Sequence, residues 1–235
     1  MKRKFQSIAA FALELCMVGI LVAGILITNQ FSAGEVNTQT SDMITIIIDP
    51  GHGGPDPGKT GTLKDEKHIN LAIALRLEKK LTEKGFHVLM TRAEDVGLYQ
   101  TEGAMWDKTA DMNIRKKLVT DSSASLMLSI HQNSYPDSRC RGAQVFYNTC
   151  LEENKRLAEL FQEKLKGISP VENKRAALVN DNLKMLKNNP MPSAIVECGF
   201  LSNKEEEYLL GTEEYQGKLV NALYEGICEF FSLSP

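Results

Sequence analysis

The sequence predicts an α/β domain, a mostly parallel sheet with helices on both faces. Three observations predict it. Short continuous apolar runs recur at Ile44–Ile48, Leu126–Ile130 and Ala194–Val196. Segments with a helical apolar period lie between them. Each run leads into a residue that can bind metal or move a proton: His52 in a glycine turn, His131 and Glu197. Strands buried on both faces and joined through helices belong to parallel sheets. Ligands bind outside the carboxyl ends of such strands, so the three endings are expected to meet at one edge.

The elements follow in order. Met43–Asp49 reads as a doubly buried strand. Ile69, Ile73, Leu77 and Leu81 recur every four residues, with Ala72 beside them, so Asp65–Lys84 reads as an amphipathic helix. Gly85 stops it. Phe86–Arg92 is the next strand. Glu94 to Thr109 has no clear period and reads as a long excursion, whose apolar positions around Leu98–Met105 suit core packing or a partner. Met112–Ser122 reads as a helix, Ser125–His131 and Gly142–Asn148 as strands. Glu152–Lys166 is a helix with Leu157, Leu160, Phe161 and Leu165 inward. A proline-punctuated turn, Lys187 to Pro192, precedes the strand Ala194–Cys198. Ser202-Asn203-Lys204-Glu205 has the pattern of a capping box opening a short helix, and Tyr215–Phe231 is the last helix. No internal repeat and no second domain is visible.

The first 42 residues stand apart from the domain, 43–235. Lys2, Arg3 and Lys4 are followed by an apolar stretch from Ile8, uncharged from Cys16 to Ile27 and interrupted earlier by Glu14. This is the pattern of an export signal or a single membrane anchor. Ser32-Ala33-Gly34 offers a cleavage site, and both outcomes stay open. Either way the bulk of the chain is expected to be exported. The chain has 235 residues, a net charge of −3 and no basic block past the N-terminus, which argues against a nucleic-acid partner. Cys140, Cys150, Cys198 and Cys228 are too scattered for a disulfide scaffold, and no CxxC pair exists.

Two of the chain's four histidines sit where strands end. Zinc takes imidazole nitrogen and carboxylate oxygen, and catalytic zinc sites keep three protein ligands. His52 lies among Gly51, Gly53 and Gly54, which let the backbone approach closely. Glu66 begins the next helix, at the end that points back to the strand edge. His131 ends a neighbouring strand. These three are candidate ligands for a divalent metal, with zinc fitting best. Glu197 ends an apolar strand, an expensive place for a carboxylate without a purpose. It is the candidate general base, and then acid, beside a metal that polarises a carbonyl. Asn133 is a candidate donor toward substrate.

Other polar residues have plainer readings. His68 lies two residues from Glu66 and so faces elsewhere, toward solvent. His87 reads as structural. Asp49 and Asp56 flank the glycine turn and are explained by turn bonds, with support of a metal ligand as the alternative for Asp49. Arg92 anchors a strand end or a carboxylate. Glu205, Glu206 and Glu207 suit the first turn of a helix through its dipole alone.

Asp49-Pro50-Gly51-His52-Gly53-Gly54, then Asp56-Pro57-Gly58 and Glu66 with Asn70-Leu71, resemble the opening of the zinc-dependent N-acetylmuramoyl-L-alanine amidases. Ser129-Ile130-His131-Gln132-Asn133-Ser134 is similar to that family's second histidine motif, and Val196-Glu197-Cys198-Gly199-Phe200-Leu201-Ser202-Asn203 to its glutamate motif. The resemblance implies a mixed six-stranded sheet, one zinc ion on His52, Glu66 and His131, and Glu197 as catalytic glutamate. It also implies peptidoglycan as substrate, with cleavage between N-acetylmuramic acid and L-alanine. The run Trp106-Asp107-Lys108-Thr109-Ala110-Asp111, and the lack of a wall-binding module, resemble the sporulation members that prepare cortex for muramic-δ-lactam formation and germination. Many relatives carry arginine near Leu186-Lys187, where this chain has lysine, a point charge in place of a bidentate fork. A metallopeptidase acting on wall peptides, lacking HExxH here, and an inactive wall-binding protein are the alternatives. An accessory protein and a membrane link through the N-terminal segment complete the expected partners.

Overall fold

The computed structural model describes residues 43–99 and 105–235. The N-terminal signal or anchor, 1–42, and part of the apolar run around Leu98–Met105 lie outside the described residues. Among the described residues no helix is long and apolar enough to cross a membrane.

Six strands and five helices are present among the described residues: β1 (Thr45–Pro50), α1 (Glu66–Glu83), β2 (His87–Met90), α2 (Lys108–Asp121), β3 (Leu126–Asn133), β4 (Gln144–Tyr147), α3 (Glu152–Lys166), β5 (Leu178–Val179), β6 (Ser193–Phe200), α4 (Lys204–Leu210) and α5 (Glu213–Phe230). The sheet order is β2-β1-β3-β6-β4-β5. Strands β2, β1, β3 and β6 run parallel, and β4 pairs antiparallel with β6 and parallel with β5. The sheet is therefore mixed and mostly parallel, as the sequence predicts.

The isoleucine run explains the position of β1. Ile46 and Ile48 point to one face and Ile47 to the other, because side chains alternate along a strand, and all three are buried. Ile46 and Ile48 join the larger core, with Ile73 and Leu77 of α1, Leu157 and Phe161 of α3, and Leu223 and Ile227 of α5. Ile47 joins a smaller cluster on the opposite face, with Val119 of α2, Met127, Ile195 and the loop residues Met185, Leu186 and Met191. The faces are covered unequally: three long helices on one, and one helix plus a loop on the other.

Several boundaries differ from the sequence reading. Helix α2 starts at Lys108 and not Met112, because the Asp107 carboxylate caps it, accepting from the Thr109 and Ala110 amides. The short C-terminal helix is capped by Asn203, which accepts from the Glu205 and Glu206 amides, and not by a box starting at Ser202. The Ser202 hydroxyl instead accepts from the Tyr135 amide. Strand β5 has no signature in the sequence: its two residues are exposed and carry no period. Strands β3 and β6 run past His131 and Glu197, since their pairing continues through a bulge to Asn133 and Phe200. Both residues sit within strands and not at their ends.

Helices α3 and α5 meet at a glycine. A Cβ on Gly226 would lie 2.6 Å from Cδ1 of the fully buried Phe161 ring. Alanine normally gains about 1 kcal/mol over glycine in a helix. Overpacking a filled core costs about 1–3 kcal/mol, and the ring has no exit. Gly226→Ala is therefore expected to lower the thermal midpoint, measured by circular dichroism. An unchanged or raised midpoint would show that the α3–α5 contact yields easily.

Candidate metal centre

The site forms where the chain leaves β1. The Gly51 amide donates to the Ile130 carbonyl (2.9 Å), holding the start of the turn against β3. A Cβ on Gly51 would stand 2.2 Å from the His131 ring, so only glycine lets that ring lie over the backbone. His52 follows with φ 62°, in the left-handed region that a side chain seldom adopts. This bend sends its ring toward α1 and β3.

Glu66, the first residue of α1, is buried between the two imidazoles. Its Oε1 lies 3.0 Å from His131 Nδ1 and 3.3 Å from His52 Nε2. Nitrogen and oxygen atoms of His52, Glu66 and His131 all fall within 4.8 Å of one another. The rings stand edge to face at 4.9 Å. Glu66 and His52 are each held from behind. The Glu66 carboxylate accepts from the Lys59 amide (2.8 Å), the Gln132 amide (3.1 Å) and Asn70 Nδ2 (3.2 Å). Asp56 Oδ2 lies 2.9 Å from His52 Nδ1 and 3.0 Å from Lys108 Nζ, leaving the other imidazole nitrogen to face Glu66.

Glu197 stands next to this group. It is the register partner of His131 across β3 and β6, and paired residues in parallel strands point to the same face. Its Oε2 is buried and has no hydrogen-bond partner among the described residues. Burial pushes the carboxyl up to about 7, with the neighbouring Glu66 charge adding to the rise and the His131 and His52 imidazoles opposing it. Burial works against the charge on His131 as well, but the Glu66 hydrogen bond and charge lift the imidazole to about 9. Burial likewise disfavours the Glu66 carboxylate, yet bonds to His131 and His52 hold it far below the usual carboxylate range. Without a cation the cluster therefore keeps a proton between carboxylate and imidazole. The donor set fits a divalent ion: two imidazole nitrogens, one carboxylate oxygen and an unpaired carboxylate oxygen alongside.

The two other histidines lie away from this group. His68 is exposed and pairs with Asp95 at 3.2 Å. His87, at the sheet edge, meets the Thr45 hydroxyl at 3.3 Å. Asn133 Oδ1 accepts from its neighbour's amide, that of Ser134. Arg92 anchors backbone carbonyls at the strand end. The described cysteines are all free. Two readings need correction. Asp49 makes no turn bond and touches no candidate ligand: it is fully buried and accepts from the Thr91 and Ser129 hydroxyls and from Arg115. Support of a ligand falls to Asp56. Glu206 and Glu207 are buried and do more than suit a helix dipole. Glu206 accepts from the Gly142 and Phe200 amides, and Glu207 from the Thr62 and Leu63 amides, which ties the loop before Glu66 to α4.

Arg115 and Asp111 join this neighbourhood with no signal in the sequence, whereas Asn70 and Gln132 lie inside the motifs quoted above, which give them no role of their own. Asn70 had a signal: it lies four residues after Glu66, on the same helix face, and bridges from Glu66 to the Gln132 amide group (3.1 Å).

The sequence profile of the N-acetylmuramoyl-L-alanine amidases matches residues 46–229. The chain is 35% identical over 221 residues to the germination-specific N-acetylmuramoyl-L-alanine amidase of Bacillus subtilis (strain 168), covering 92% of this chain and 93% of that protein. Among solved structures it is similar to the CwlD amidase of Clostridioides difficile in complex with the GerS lipoprotein, at 39% identity and a TM-score of 0.77, over 80% of this chain and 98% of that one. It is also similar to an N-acetylmuramoyl-L-alanine amidase from Clostridium difficile 630, at 29% identity and a TM-score of 0.70, over 82% of this chain and 99% of that one.

Proposed function

We infer, since this chain belongs to the N-acetylmuramoyl-L-alanine amidase family, that it hydrolyses the amide between the lactyl group of N-acetylmuramic acid and L-alanine in peptidoglycan. The observation that carries this reading is the convergence of His52, Glu66 and His131 within 4.8 Å, with the unpaired Glu197 oxygen beside them.

His52, Glu66 and His131 would hold one zinc ion. A bound zinc supplies Lewis acidity toward the amide carbonyl and makes water a nucleophile near neutral pH. The chain's own part is proton handling and orientation. Glu197 takes the proton from the attacking water and passes it to the departing alanine nitrogen. Its buried oxygen, which has no hydrogen-bond partner among the described residues, suits this, because no protein donor competes for the position where the proton is accepted. Asp56 keeps His52 in the tautomer whose free nitrogen faces the other donors. Gly51 and Gly53 leave the backbone thin on the sheet edge.

The physiological reading follows the family resemblance. Stem-peptide removal by this chain prepares spore cortex for muramic-δ-lactam formation, which germination enzymes then read. Residues 1–42 export the catalytic domain, 43–235, or anchor it to the membrane. The C. difficile amidase is described in complex with a lipoprotein, and an accessory protein belongs to the same proposal for this chain.

Purified peptidoglycan separates amidase from peptidase chemistry. Incubation with the zinc-loaded protein is expected to release free amino groups that all belong to L-alanine, identified by N-terminal labelling and mass spectrometry. New amino groups on other stem-peptide residues would overturn the reading.

A further inference from the structure

Two buried guanidinium groups grip the turn that carries His52. Arg115, in the middle of α2, donates from Nη1 to the Pro50 carbonyl (2.7 Å) and to Asp49 (3.1 Å). Its Nη2 donates to the His52 carbonyl at 2.7 Å. Arg92, just past β2, donates from Nε to the Pro50 carbonyl (3.0 Å) and from Nη2 to the Gly51 carbonyl (2.9 Å). Three consecutive carbonyls thus receive four charge-assisted bonds. Both arginines are almost wholly buried, at 1% and 3% exposure.

This grip has a geometric consequence. A non-glycine residue at positive φ costs on the order of 1–3 kcal/mol and persists only where its surroundings over-determine it. His52 is such a residue, between Gly51 and the positive-φ Gly53 and Gly54. Its carbonyl is fixed by Arg115, and its ring is fixed by Asp56. Fixing both ends of the residue sets the direction of its Cα–Cβ bond toward Glu66. Among the described residues nothing accepts from the buried Arg115 Nε; the fork's terminal nitrogens serve the carbonyls. Asp111 braces the fork from the preceding helical turn (3.5 Å) and accepts from the Leu98 and Tyr99 amides, which ties those two residues to the same node.

We propose that Arg115 is a positioning residue for the metal centre: through the backbone carbonyls of Pro50 and His52 it sets the ligand geometry and hence the metal affinity, while touching neither metal nor substrate. The proposal rests on His52, Glu66 and His131 being the ligands. Lysine at 115 keeps the charge beside Asp49 but loses the fork that spans two carbonyls.

The test is zinc affinity of the full catalytic chain by chelator competition, with zinc alone as the probe and the native fold of each variant checked by circular dichroism. Arg115→Lys is expected to weaken zinc binding per folded molecule by about 10–100-fold, the range for groups that orient ligands. Arg92→Lys, which leaves the bonds to His52 in place, is expected to weaken it less. A role confined to stability would lower the metal-free melting midpoint of Arg115→Lys and leave zinc affinity unchanged, and that result would overturn the proposal. Should Arg115→Lys fail to fold, Asp111→Asn, which removes the charge that braces the Arg115 fork, carries the test: unchanged zinc affinity with a native spectrum overturns it. Failure of the unsubstituted chain to bind zinc would instead overturn the ligand set, which keeps the two readings distinct.

Discussion

Glu197→Gln is expected to lower turnover by about 10²–10⁴-fold, the range attributable to a positioned acid–base group, while zinc content stays at the wild-type level. Glutamine keeps the size of the side chain and cannot accept a proton. The loss should appear in kcat with little change in KM, because the proton moves only in the transition state. Zinc content of the variant by elemental analysis and stem-peptide release from purified wall together decide the role. Full activity in the variant would remove Glu197 from the reaction. The pH dependence adds a second readout. In the metal-free protein Glu197 titrates near 7. A cation in the site pulls that value down, so the acid limb of kcat/KM in the loaded enzyme lies below 7, falls as pH drops, and vanishes in the variant. Stability moves the opposite way. A carboxyl whose folded pKa lies above its ordinary value favours the folded state at low pH, and that contribution is lost as pH rises through 7. Metal-free Glu197→Gln is accordingly expected to melt higher than the unsubstituted protein at pH 8, and at the same temperature at pH 4.

His131→Ala is expected to lose both metal and activity. Structural zinc sites bind with apparent free energies of about 10–16 kcal/mol, so removing one donor among a few costs on the order of 3–4 kcal/mol, or about 10²–10³-fold in affinity. The substitution also takes away the bond that keeps Glu66 ionised (3.0 Å) and leaves the space over Gly51 empty. Dialysed protein should show near-zero zinc by elemental analysis, and added zinc should no longer raise its melting midpoint. Full zinc occupancy in the variant would refute the ligand set. His68→Ala is the matched control, since His68 is exposed and pairs only with Asp95.

Much of this arrangement is legible in the sequence, and the reasons are local. An unbroken run such as Ile46-Ile47-Ile48 has no polar side to turn toward water, so it demands cover on both faces. His52 among glycines, Glu66 at a helix start and His131 after an apolar run each carry their own signal. Other features depend on partners far along the chain. Asp49 has the look of a turn residue, yet its partners lie 42, 66 and 80 residues away. Arg115 is one cation among several on a helix with few apolar residues, and nothing nearby announces that it is the one turned inward. Glu206 and Glu207 illustrate the same limit: three successive glutamates look alike until tertiary contacts bury two of them. The cap falls on Asn203, one position past Ser202, although serine is an equally good capping residue by type, because the Ser202 hydroxyl is engaged by the Tyr135 amide.

The alignment of β3 with β6 acts as a ruler. Strands lie about 4.7–4.9 Å apart, so the spacing between the imidazole and the carboxylate is written in main-chain geometry and not in how the interior is filled. Leu128, Ile130 and Val196 can drift to other apolar residues over evolutionary time without moving the candidate ligand or the candidate base. A single deletion upstream in either strand cannot be absorbed that way. It would swing one of the two groups to the far side of the sheet, leaving a folded protein whose two halves of the chemistry look in opposite directions.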